Sequence, residues 1–127
     1  MTQSKRILII DDEDDIREVV QVSIEEFGGW QTLTAASGLE GVAIARSEVP
    51  DAILLDVSMP DFDGYQVFEA LQQETNTQTI PVIFLTAKVL PSDRQRFASL
   101  QIAGVITKPF DPMQIWREVG AILGWTT

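Results

Sequence analysis

Asp11, Asp12, Asp56 and Lys108 are the residues of this chain whose types and spacing could do chemistry. Each lies at or just after the end of an apolar run: Ile7–Ile10 before the aspartate pair, Ala52–Leu55 before Asp56, Gly104–Thr107 before Lys108. In an open parallel α/β sheet such strand ends share one edge, where ligands bind. The carboxylates and the ammonium would meet there. Carboxylates about 4–6 Å apart repel by several kcal/mol at an effective dielectric near 20, and they raise one another's pKa unless a cation joins them. A pocket of this kind suits Mg²⁺, which takes carboxylates, waters and a phosphate oxygen. It also suits phosphoryl transfer. Asp56, following a wholly apolar strand, could act as a nucleophile and form an acyl phosphate, because carboxylates attack phosphoryl groups when oriented and partly desolvated. Lys108 and a metal would offset the charge on the phosphoryl oxygens.

Plainer roles stand beside these. The Asp11-Asp12 doublet could simply cap the helix that follows, and Asp56 could cap a loop. Thr86 ends the fourth apolar run, where threonine is an ordinary strand residue. Its other role is a hydroxyl hydrogen bond to a phosphate oxygen. Lys108-Pro109 reads as a rigid turn with room for a cis peptide.

The elements that must position these groups are legible as alternating strands and helices. Ile7–Ile10 is a continuous β-branched-rich run, as expected for a strand buried on both faces. Ile16, Val19, Val20, Ile24 and Phe27 follow at helical spacing, ended by Gly28-Gly29. Trp30 to Ala35 reads as a second strand. Ser37 and Glu40 form a capping-box pattern opening a helix with Leu39, Val42 and Ala43 inward. Ala52–Leu55 is the third strand. Asp63 caps a helix carrying Val67, Phe68 and Leu71. Ile80–Leu85 is the fourth strand, with Pro81 near its start. A helix with a thin apolar face (Phe97, Ala98, Leu100) spans Ser92 to Leu100 and should be the least firmly docked. After the fifth strand, Gly104–Thr107, Asp111-Pro112 starts a last helix with Ile115, Val119, Ile122 and Leu123 inward. Trp116 adjoins that stripe as a partly buried tryptophan, leaning toward the face of Val105 and Phe97, or as an anchor for a partner. Five alternations of strand and helix predict a parallel sheet with helices on both faces.

Composition bounds the function. The 127 residues suffice for one domain, and 45% apolar content argues for a folded globule. With no cysteine and no histidine, thiolate metal sites, imidazole acid–base chemistry and a phosphohistidine on this chain itself are all excluded. The net charge of −10 leaves no basic footprint for nucleic acid or an anionic membrane. Lys5 and Arg6 precede an apolar run too short for a signal peptide or a membrane span, so a cytoplasmic location is the expectation.

The segments ILIIDDE (Ile7–Glu13), LLDVSMPDFDG (Leu54–Gly64), FLTA (Phe84–Ala87) and ITKPF (Ile106–Phe110), in this order and spacing, resemble the receiver domain of two-component response regulators. The resemblance covers nearly the whole chain. It implies a doubly wound, five-stranded parallel sheet with five helices, flavodoxin-like or CheY-like, in strand order 2-1-3-4-5. It implies one receiver unit over residues 1–127, with a core of about 5–124 and no output domain. It makes Asp56 the phosphoacceptor. Mg²⁺ (or Mn²⁺) would sit on Asp11, Asp12, Asp56 and the backbone carbonyl of Ser58. Thr86 becomes the switch hydroxyl and Lys108 the lysine on the phosphate. Ser58 and Lys88 take the positions that influence phosphoryl lifetime.

The implied function is a phosphorylation-dependent switch, or a phosphorelay intermediate, that modifies itself without being an enzyme in the ordinary sense. Its partners would be a sensor histidine kinase or histidine phosphotransfer protein, a downstream protein target, and a second copy if the fourth and fifth helices form a dimer face. No nucleic acid or membrane is expected. One position departs from the family. Val105 stands three residues before the lysine, where an aromatic often swings inward on signalling; a β-branched side chain is stiff at χ1 and small. Output then falls to the Thr86–Ala87–Lys88 loop and the helix after it. Two other functions compete: a constitutive binding module of the same fold, and a phosphatase with an aspartyl intermediate. The phosphatase generally needs a second aspartate two residues after the nucleophile, where this chain has Ser58.

Overall fold

The computed structural model describes residues 4–60, 62–87 and 90–125. In chain order the elements are β1 (Arg6–Ile10), α1 (Asp14–Val22), a π-helical turn (Ser23–Gly28), β2 (Gln31–Ala35), α2 (Gly38–Glu48), β3 (Ala52–Asp56), α3 (Gly64–Gln72), β4 (Val82–Thr86), α4 (Pro91–Ala98), β5 (Gly104–Thr107) and α5 (Ile115–Leu123). The strands form one parallel sheet in the order β2-β1-β3-β4-β5. The expected fold and strand order are therefore the observed ones.

Strand side chains alternate between two cores, as the period of two requires. Leu8, Ile10, Ile53, Leu55, Val82 and Phe84 pack with residues of α2, α3 and α4. Ile7, Ile9, Ala52, Leu54, Ile83, Leu85 and Ile106 pack with residues of α1, the π turn and α5. Every residue of β3 and β4 is buried, which explains their unbroken apolar runs. Asp56 and Thr86 are the polar ends of those two strands.

Several local expectations need correction. The inward stripe of α2 is Gly38, Gly41, Val42 and Ala45, while Leu39 and Ala43 face solvent. A Cβ on Gly41 would lie 2.4 Å from Ile10 Cδ1, so the helix approaches β1 more closely than any side chain allows. Only the serine arm of the Ser37 cap is seen, accepting from the Glu40 amide at 3.2 Å. The first helix does not run on as α-helix to Phe27. The wider π turn puts Gly28 inward beneath Trp30 and leaves Phe27 exposed. Val19, expected inward, is also exposed. The last helix begins at Ile115, because Pro112 to Gln114 form a turn in which the Met113 amide donates to Asp111 Oδ1.

Trp116 is half-buried as expected, but on the opposite side of the sheet from Val105 and Phe97. It meets Trp30 edge-on, and Trp125 joins the same group. Asp63 caps α3 as expected, with a reciprocal bond to Gln66, and Val67, Phe68 and Leu71 are buried. Only Phe97 of α4 is buried, in keeping with its thin apolar face. No helix among the described residues is long and apolar enough to cross a membrane.

Candidate functional site

The C-terminal ends of β1, β3 and β5 bring Asp11, Asp56 and Lys108 together. Lys108 Nζ lies 3.4 Å from Asp11 Oδ2, 3.4 Å from Asp56 Oδ1 and 3.6 Å from Glu13 Oε1. Backbone bonds fix the edge. The Asp11 amide donates to the Ala35 carbonyl at 3.2 Å, Val57 to Leu85 at 3.2 Å, and Lys108 to Thr86 at 2.9 Å. The last of these ties the lysine to the end of β4, where Thr86 is buried. The Lys108-Pro109 peptide is cis, as the sequence allowed.

After β3 the chain doubles back sharply. The Gly64 amide donates to the Val57 carbonyl at 3.0 Å. A Cβ at Gly64 would lie 2.7 Å from Val57 Cα and 2.8 Å from the Asp56 carbonyl oxygen, so only glycine fits against the backbone of Asp56. Ser58 is exposed and joins the site through its amide, which donates to Asp56 Oδ1 at 3.3 Å. Lys88 lies outside the described residues.

The carboxylates are electrostatically crowded. Asp11 and Asp56 are both almost fully buried. Burial first, and then the negative charge of Asp11, push the Asp56 carboxyl up from 3.8 to about 6, although Lys108 and the Ser58 amide pull the other way. Burial likewise raises Asp11 against the Glu13 amide and Lys108. Burial would lower Lys108, but Asp11, Asp56 and Glu13 together outweigh it and hold its ammonium above its usual value. Lys108 therefore serves three carboxylates at once and leaves Asp11 and Asp56 raised.

A second cation fits that deficit. Oxygen atoms of Asp11, Asp12, Glu13 and Asp56 all lie within 4.8 Å of one another. Asp56 Oδ2 is buried and has no hydrogen-bond partner among the described residues, a costly condition for a carboxylate oxygen. The donors are hard oxygens with no nitrogen or sulfur among them, as Mg²⁺ prefers. Of the residues expected from the sequence, Asp11, Asp12, Asp56 and Lys108 come into one cluster, with Thr86 at its β4 side. Glu13 was not expected there; its only signal was its place directly after the doublet. The plainer role for the doublet is not what the helix uses. The cap position of α1 is Glu13, and no side-chain hydrogen bond caps the helix there.

Comparison with known proteins agrees with this geometry. The family described as response regulator receiver domain matches residues 7–119. The chain is 32% identical over 123 residues to the response regulator Rre1 of Synechocystis, covering 97% of this chain and 53% of that protein. It is 37% identical over 120 residues to the alkaline phosphatase synthesis transcriptional regulatory protein PhoP of Bacillus subtilis, covering 94% and 49%. The chain thus spans about half the length of the curated relatives it matches. Among solved structures, the chemotaxis response regulator CheY4 of Vibrio cholerae superposes with a TM-score of 0.87 at 27% identity, covering 94% of this chain and 99% of that one. The receiver domain of a sensor histidine kinase from Pseudomonas aeruginosa, with magnesium coordinated in its active-site cleft, gives a TM-score of 0.83 at 26% identity, covering 96% and 99%.

Proposed function

The chain belongs to the response regulator receiver domain family, signalling switches by nature, and from that premise we propose that Asp56 accepts a phosphoryl group from a partner's phosphohistidine with Mg²⁺ bound beside it. The observation that carries this reading is the buried Asp56 Oδ2, without a hydrogen-bond partner among the described residues, within a cluster of oxygen donors that Lys108 does not fully neutralise. Asp11, Asp12 and Asp56, with the Ser58 carbonyl, would hold the metal, and Mn²⁺ could take the same donors. When bound, the ion supplies positive charge to the phosphoryl oxygens.

The chain's own residues do the rest. The raised carboxyl of Asp56 is ionised near pH 7 and directed by the Ser58 amide. Its oxygen attacks phosphorus, an oxygen–phosphorus bond forms, and the phosphorus–nitrogen bond breaks with its electron pair going to the donor imidazole. Lys108, already 3.4 Å from Asp56 Oδ1, stays within reach of the incoming phosphoryl oxygens. The Thr86 hydroxyl donates to one of them. Water later attacks the same phosphorus, releasing inorganic phosphate and restoring the carboxylate. With Val105 unable to act as a rotating ring, the change passes through Thr86 and Ala87 to α4, which is held by Phe97 packed against Phe84 and Tyr65. The receiver unit spans about residues 5–124.

The test is direct. The chain incubated with acetyl phosphate and Mg²⁺ gains one phosphoryl mass on Asp56, and fails to gain it in chelator. Persistent absence of that adduct under both acetyl phosphate and phosphoramidate would favour the constitutive binding module instead.

The donor's docking surface lies beside the site. Val19, Val22, Phe27 and Met113 are exposed apolar residues along a groove of about 540 Å³. A second groove shares Val19 and Pro112 with it and runs on to Lys108 and Phe110. Val22→Asp should slow transfer from a phosphohistidine protein at least about tenfold, since a buried unpaired charge is costly at an interface. Uptake from acetyl phosphate should not change. Equal slowing with both donors would place the groove outside donor recognition.

A further inference from the structure

We propose that Arg17 is a positioning residue for the metal site, acting through the backbone of Asp11; this rests on the reading that the site binds Mg²⁺. Arg17 lies in the first turn of α1, and its guanidinium reaches back over the loop. Nη1 donates to the Asp11 carbonyl at 2.8 Å, and Nη2 pairs with Asp14 Oδ1 at 2.5 Å. The Arg17 amide donates to the Glu13 carbonyl at 3.0 Å. Asp11 Oδ1 in turn accepts from the Glu13 amide at 2.9 Å. The segment Asp11-Asp12-Glu13, which carries three of the clustered carboxylates, is therefore tied at both ends.

No side-chain cap holds the N-terminus of α1, so the loop is not fixed in that way. The planar fork of arginine supplies two donors in fixed geometry, which a lysine ammonium does not. Asp14 is largely exposed, and an ion pair to such a partner contributes little to stability. The bond to the Asp11 carbonyl is the part with a consequence for the site. It fixes the direction in which Asp11 and Asp12 leave the end of β1. A loop held in its binding conformation before the ion arrives does not lose freedom on binding. Groups that orient metal ligands typically change affinity by about 10–100-fold when removed.

Charge alone predicts the opposite sign. Removing a nearby cation from an acidic cluster should tighten Mg²⁺ binding, so a weakened affinity isolates the positioning role. The experiment titrates Mg²⁺ by calorimetry into the whole chain carrying Arg17→Gln, Arg17→Lys or Asp14→Asn, beside the wild type. Melting curves and amide hydrogen exchange are recorded without metal. Arg17→Gln should weaken Mg²⁺ about tenfold, change the metal-free Tm by about 3 °C or less, and speed exchange at the Glu13 amide. Arg17→Lys should recover only part of the affinity. Asp14→Asn, which keeps the bond to the Asp11 carbonyl, should stay within about twofold of wild type. An unchanged or tighter affinity in Arg17→Gln overturns the proposal, as does equal weakening in Asp14→Asn. A wild-type chain that binds no Mg²⁺ at all would be a different result, one that removes the metal reading itself and this inference with it.

Discussion

Asp56→Asn should yield a chain that takes up no phosphoryl group and that, free of divalent metal at pH 7.5, is more stable than the wild type. Loss of the adduct follows because an amide is not a nucleophile toward phosphorus. The gain in stability follows from crowding. Asp56 is buried beside Asp11, and its carboxyl is raised from 3.8 to about 6. About two pKa units at ~1.4 kcal/mol each bound the cost of ionising it in the folded state at about 3 kcal/mol. Asparagine also gives up the ion pair to Lys108, so about 2 kcal/mol is the expected gain, or a Tm higher by about 5 °C or more.

The pH dependence carries its own sign. A carboxyl whose folded pKa lies above its unfolded value binds more protons folded than unfolded between the two. Stability must then fall as pH rises through that window. For Asp56 the window runs from about 4 to about 6. The wild type in chelator should lose stability across it, and Asp56→Asn should show a shallower slope there. Magnesium should narrow the gap between the two proteins, because binding to the folded state alone adds stability by mass action. Thermal melts at pH 4.5, 6 and 7.5, with chelator or 10 mM MgCl₂, decide the matter. A metal-free Asp56→Asn protein that melts clearly below wild type at pH 7.5 would contradict the crowded-carboxylate account.

How legible this was in the sequence depended on what each residue contributes to a pattern. Ile7–Ile10 and Ala52–Leu55 were readable as strands because both sheet faces are covered and every side chain is buried. That alone placed Asp11, Asp12 and Asp56 at one edge, so most of the site came with the strands. The inward face of α2 is readable at Val42 and not at its glycines. Gly38 and Gly41 lie there for lack of volume, and an apolar pattern registers only side chains that have some. Phe27 misled because helical spacing assumes about 3.6 residues per turn, and the π turn at Ser23–Gly28 breaks that count. The side of the sheet that Trp116 covers is not legible, because the helix stripe alone does not say which face it packs on; its contact with Trp30 decides that. Glu13 and Arg17 were silent for a different reason. Their roles come from reaching back across a loop, Glu13 to Lys108 and Arg17 to the Asp11 carbonyl, and a linear spacing does not encode such reach.

Lys108→Met should separate the charge-balancing role of this lysine from its role toward phosphate. The Lys108 side chain is mostly buried, and its Nζ stands 3.4 Å from Asp11 and from Asp56 and 3.6 Å from Glu13. Methionine keeps most of the length and apolar stem of lysine while removing the ammonium. Packing then changes little, and the carboxylates lose the cation that bridges them. Truncating one partner of a buried ion pair costs about 3–5 kcal/mol. Here the edge is open to water at Asp12 and Glu13, both exposed, so about 2–3 kcal/mol is the expected loss in metal-free solution at pH 7.5. The loss should shrink as pH falls. Without Lys108, Asp56 and Asp11 are raised still further, so the protein sheds stability as pH climbs from about 4 through and beyond about 6. Affinity for Mg²⁺ should move the other way. The ammonium repels an incoming dication, and its removal should tighten Mg²⁺ binding by about tenfold. Phosphoryl uptake from acetyl phosphate should nonetheless fall at least about a hundredfold, because the charge that meets the phosphoryl oxygens is gone. Tighter metal with slower phosphorylation is a combination that simple unfolding does not produce. Calorimetric Mg²⁺ titration together with the rate of adduct formation measures both. Weaker metal binding in Lys108→Met, or an unchanged phosphorylation rate, would show that the lysine does not play both parts.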